Sequence, residues 1–171
     1  MNKIVKKAIR KYDKKIQFTF KLLVFALILK ALMWTNPEFP AAKEMTADIV
    51  ATITGSEVID SYYVKHGAFA LMIVTDCVGW KELFVFFSLL FAWPLGKNWT
   101  KALLGALGIL VYNFVRLAIL ILFNGSFDYF HPGFQIVSII VILTAWMLSI
   151  EKKPKRKSKK KTKKKTIKKK K

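Results

Sequence analysis

"KALLGALGILVYNFVRLAILILF", residues 101–123, decides how the chain is read. After the leading lysine, 102–123 carries a single charge, Arg116. A helix of that length reaches across the roughly 30 Å hydrocarbon core of a bilayer. A charge inside such a span costs at least ~2.5–3.5 kcal/mol, so it turns toward a bundle interior and often marks function. Asn113 stands three residues earlier, on the same helix face.

Working outward, three more apolar runs appear, at 16–33, 78–95 and 134–150. Lys21 and Lys30 lie near the two ends of the first, where long side chains snorkel to the interface. Trp34 fits an interfacial anchor, and Trp93 with Pro94 marks the end of the second run. The basic start followed by an apolar run resembles a signal peptide. No small-residue cleavage site follows "LILKALMWTNPEFP", so it reads as an uncleaved first span.

The 171 residues are 54% hydrophobic yet carry a net charge of +20. The two facts agree once the charges are located, because they gather at the ends and in one short loop. The lead "MNKIVKKAIRKYDKK", the loop holding Lys97 and Lys101, and the tail from Glu151 are all lysine-rich. The positive-inside rule puts all three in the cytoplasm, which an even number of spans allows. The sequence therefore predicts an all-α membrane protein, a bundle of about four transmembrane helices with both termini cytoplasmic. Residues 1–150 form the multi-pass domain. Residues 151–171 hold half of the 30 Lys and Arg and read as a disordered cytoplasmic tail.

The longest polar insertion, 35–76, then faces outward. "NPEFPAAKEMTADIVATITG" predicts a proline-started short helix ending near Gly55. "SEVIDSYYVKHGAFALMIVTDC" predicts two short strands around a turn at "HG", with a buried helix for "AFALMIV" as the alternative. The loop 124–133, "NGSFDYFHPG", faces outward too. Its "NGS" matches a glycosylation acceptor close to the membrane.

One cysteine and two histidines limit the chemistry. The chain cannot form an internal disulfide, has no spaced zinc-ligand cluster and has no phosphate-cradling glycine loop. No cofactor and no metal are expected. Cys77 stands in "TDCVGW", residues 75–80, where the polar insertion meets the second span. A lone cysteine is commonly a small apolar packing residue. Here a helix N-terminus, Lys81 one turn on and Arg116 from the third span would each favour the nucleophilic thiolate. Asp76 opposes them unless it faces water. Gly79 would admit a substrate close to the backbone.

His131 precedes Pro132, which suits the first position of the last span, and an imidazole there could carry protons. Asp128, three residues earlier, could orient it or be a solvated loop acid. His66 reads as an exposed turn residue. Arg116 has its own plain reading, as a structural charge paired with a carboxylate.

"DCVGW" opening one span, "YNFVRLAIL" in the next and "FDYFHP" before the last resemble, in order and spacing, the exosortase/archaeosortase family. The likeness covers roughly residues 70–140 and includes an N-x-x-R motif formed by Asn113 and Arg116. The resemblance implies a membrane cysteine transpeptidase or protease acting at the outer surface. Its substrates would be exported proteins ending in a short motif, a transmembrane helix and a basic tail. The new carboxyl end would pass to an acceptor such as a lipid. Carried over, Cys77 is the nucleophile, Arg116 stabilises oxyanion or thiolate, and His131 handles protons. Two other readings stand beside it. One is a small transporter or channel with Arg116 lining the pathway. The other is a membrane-anchored binder of polyanions through the tail.

Overall fold

The computed structural model describes residues 3–35, 37–94, 96–123 and 127–150, and for 3–11 and 127–131 the backbone alone. The tail 151–171 and the "NGS" triplet lie outside the described residues. Helix α1, Lys3–Thr35, carries the basic lead and the first apolar run as one continuous helix. Helix α2, Pro40–Thr54, begins on its proline, whose missing N–H costs nothing in a first turn. It stops at Gly55, which takes the left-handed conformation at φ 64°, so both predicted ends hold.

The insertion contains three strands where two were expected. β1 (Glu57–Ile59), β2 (Tyr63–His66) and β3 (Phe69–Met72) form an antiparallel meander in that order. The expected turn joins β2 to β3, with His66 paired to Phe69 and Gly67 at φ 61°. That register rules out a helix for "AFALMIV". β1 lies wholly exposed, so it shows none of the inside–outside alternation by which a strand is recognised.

A four-residue 3-10 turn, Thr75–Val78, leads into α3, Trp80–Ala92. Helix α4 spans Trp99–Leu122 and α5 spans Phe127–Ser149. Among the described residues three helical segments are long and apolar enough to cross a membrane: Tyr12–Thr35, Trp99–Leu122 and Pro132–Ser149. α3 is not among them. Its 13 residues make a rod of about 20 Å, short of the hydrocarbon core. Both ends have a cause. Gly79 in the left-handed region breaks the helix from the turn before it. At the far end Trp93 is extended at ψ 123°, as a residue preceding proline must be.

Ring contacts fix the relative heights of the helices. Trp93, just past α3, packs edge-on against Phe18 of α1 at 5.5 Å and Trp146 of α5 at 5.2 Å. The same end holds the pairing of Lys97 with Ile150 and the bond from the Asn98 N–H to the Ser149 carbonyl at 2.8 Å. At the opposite end Phe39 packs on Trp80 at 6.1 Å. The core divides in two accordingly. Phe86, Leu90, Ala102, Ile109 and Ile142 join α3, α4 and α5. Ala47, Val50, Val64, Leu117 and Ile121 join α2 and the sheet to the end of α4.

Candidate active site

The site lies between those two clusters, where the 3-10 turn meets α3 and α4. Gly79 stands at the junction at φ 82°. A Cβ there would come within 3.2 Å of the Asn113 side chain. The close approach that the sequence suggested for a substrate is thus filled by Asn113 of α4. Asn113 is 1% exposed, so its amide must find partners within the fold. Its Nδ2 donates to the Cys77 carbonyl at 2.6 Å, and its Oδ1 accepts from Arg116 Nη2 at 2.8 Å. The i, i+3 spacing of Asn113 and Arg116 on α4 makes this relay possible.

Arg116 also donates through Nη1 to Glu82 Oε1 at 3.1 Å. The pair is largely buried, with side chains 15% and 16% exposed. Glu82 escaped the sequence reading. The available signal was an acid at the head of an apolar run, facing a span that carries an unexplained arginine. Its second oxygen, Oε2, is buried with no hydrogen-bond partner among the described residues. Lys81 turns the other way and donates to Asp76 Oδ2 at 2.6 Å. Asp76 is 59% exposed, so the acid beside the cysteine is both solvated and paired.

Cys77 is half-buried and packs against the cluster beneath α2 and the sheet. Burial pushes its thiol above the usual range. A hydrogen bond with the Val74 backbone and the charge of Arg116 pull in the other direction, and Asp76 and Glu82 add to the rise. The expected help from a helix N-terminus does not arrive. Cys77 sits in the short turn, and the left-handed Gly79 separates that turn from α3. The expected help from Lys81 goes to Asp76.

The backbone of α5 carries Asp128 and His131, whose side chains lie outside the described residues. α5 begins at Phe127, so Pro132 sits inside the helix and not at its first position. Phe134, three residues beyond His131, packs against the same cluster as Cys77 and accepts a hydrogen bond from Tyr112 at 2.8 Å through its carbonyl. α5 therefore reaches the site. It also supplies Gln135 and Ser138 to a cavity of about 450 Å³, whose polar wall includes Lys81, Glu82 and Arg116. Val85, Ile139 and Ile142 form its apolar side. A larger groove of about 550 Å³ between α4 and α5 is almost wholly apolar and lies toward Lys101, away from the cysteine.

His66 is held by Ser56 Oγ at 3.1 Å from Nδ1, within the insertion. No family model, curated protein or solved structure matches the chain.

Proposed function

We propose that the chain is a membrane-embedded cysteine transpeptidase or protease of the exosortase/archaeosortase kind, working on the outer face of a cell membrane. The reading is carried by the hydrogen-bonded series linking the Cys77 main chain, Asn113 and Arg116 beside a cavity of about 450 Å³. Residues from two of the three short motifs that suggested the family converge there. Four passes with both termini inside follow from the same reading. The second pass is the apolar run 78–95, with α3 as its helical part and Cys77 just outside it. The contacts of Trp93 with Phe18 and Trp146 support this, bringing the start of the apolar run of α1 level with the ends of α3 and α5, near Lys97.

In this mechanism a substrate helix diffuses laterally to the bundle and brings its scissile peptide to Cys77. The thiol gives up its proton to His131, and the sulfur attacks the peptide carbonyl carbon. The resulting oxyanion is met by Arg116. The C–N bond breaks, the proton passes from His131 to the leaving amine, and a thioester remains. An acceptor nucleophile, or water, then attacks that thioester and loses its own proton as the thiol is restored. Because burial keeps Cys77 protonated at rest, a proton acceptor is required before attack.

The test is processing in membranes of an exported protein that ends in a short motif, an apolar helix and a basic tail. Cys77→Ala is expected to leave an inserted protein that no longer processes it. Normal cleavage by the alanine variant ends the assignment.

A further inference from the structure

We infer that Glu82 is a positioning residue for this site, holding the Arg116 guanidinium against Asn113 and away from ion pairing with the Cys77 sulfur. The inference rests on the reading above, since it gives Arg116 a reason to be held in reserve.

Three observations carry it. Arg116 is fastened at two points, by Glu82 Oε1 at 3.1 Å and by Asn113 Oδ1 at 2.8 Å. Two anchors on different elements leave a planar guanidinium little rotational freedom. The anchoring also runs on to the nucleophile, because Asn113 donates to the Cys77 carbonyl at 2.6 Å. Finally, Glu82 Oε2 has no partner among the described residues, so Arg116 is the group that holds the carboxylate as well. Each charge of this largely buried pair is the other's main counter-charge.

The consequence concerns where the positive charge goes. Arg116 already favours the Cys77 thiolate, yet burial outweighs it and the thiol remains. A guanidinium released from Glu82 would take the thiolate as its counter-ion, and a Cys–Arg pair would form in the resting protein. That pair would occupy the donors needed for the oxyanion of a bound substrate. Glu82 prevents this, keeping the sulfur neutral and the donors of Arg116 directed at the cavity it lines.

Cys77 is the sole cysteine, so its alkylation reports on the site without any substrate. The charged groups acting on it are Arg116 from α4, Glu82 from α3 and Asp76 from its own turn, with Lys81 tied to Asp76. α2 contributes Lys43, which is paired with Glu38 at 2.6 Å, and its fully buried residues are uncharged. From α5 the cavity receives uncharged Gln135 and Ser138, and His131 and Asp128 stay unaltered in every variant.

The experiment is the pH profile of labelling by a neutral maleimide, on the full chain in liposomes. Glu82→Gln retains shape and an acceptor oxygen but loses the charge. It is expected to lower the labelling midpoint by about one pH unit, which is about tenfold in rate at a fixed pH below the midpoint. In an Arg116→Gln background the same change is expected to do less than a third of this. Glu82→Asp keeps the charge on a shorter arm and is expected to move the midpoint in the same direction as Glu82→Gln. Equal shifts in both backgrounds would mean that Glu82 acts on the sulfur directly, and the inference falls. It falls equally if neither Glu82 variant moves the midpoint. Loss of the enzyme assignment through the Cys77→Ala assay leaves this labelling result standing by itself.

Discussion

Gly79→Ala offers the sharpest test of the geometry around Cys77, with Gly67→Ala as its matched control. Both glycines lie in the left-handed region, at φ 82° and φ 61°. A side chain there costs about 1–2 kcal/mol from the backbone alone. At Gly67 a new Cβ meets nothing within 4 Å, so the backbone cost is the whole effect. At Gly79 it meets the Asn113 amide at 3.2 Å. Asn113 is fixed by its bonds to the Cys77 carbonyl and to Arg116, so the contact is relieved only by stretching one of them. Losing a bond from a buried amide costs a further ~1–3 kcal/mol. Gly79→Ala should therefore destabilise by about 2–5 kcal/mol and Gly67→Ala by about 1–2 kcal/mol. Reversible denaturant unfolding in detergent micelles measures both. The maleimide labelling rate of Cys77 should also change in the Gly79 variant and stay at the wild-type value in the Gly67 variant. Equal destabilisation of the two, with unaltered labelling in both, would refute the claim that Asn113 packs on Gly79 and ties down the cysteine.

Two further outcomes follow from other parts of the structure. Because burial raises the Cys77 thiol, alkylation of the folded protein should climb with pH through a midpoint above the ordinary thiol value of about 8.5. Denaturation should return the midpoint to that value, and labelling near neutral pH faster than that of a free thiol would contradict it. Trp93→Ala removes two edge-to-face ring pairs, with Phe18 and Trp146, and should cost about 1–3 kcal/mol. Protease protection of α1 would fall with it, since α1 meets the bundle through α3. Unchanged stability would mean that these rings do not couple the helices.

Much of this architecture is legible in the chain because the signals are local. Apolar length announces α1, α4 and α5, and Pro40 and Gly55 bracket α2. The "HG" turn joins β2 to β3. In the same way, one arginine in an apolar helix announces a buried polar site, and an asparagine three residues before it announces the face. The failures share a cause. The length of α3 depends on Gly79 adopting φ 82° where the Asn113 side chain leaves little room for a Cβ, a contact that no run of residues records. β1 has no buried face, so hydrophobic alternation cannot mark it.

Sequence alone, then, determines that helices of membrane length form, since hydrogen bonding within a segment and apolar composition are properties of that segment. Which charges meet was decided by the tertiary structure. Glu82 and Arg116 lie 34 residues apart and pair at 3.1 Å. Lys81, next to Glu82 in the chain, instead serves Asp76. Adjacent residues on a helix point about 100° apart. Only the packing of α3 against α4 selects the one that turns inward. The same packing buries Cys77 and leaves it a thiol, where its position in the sequence had suggested a thiolate.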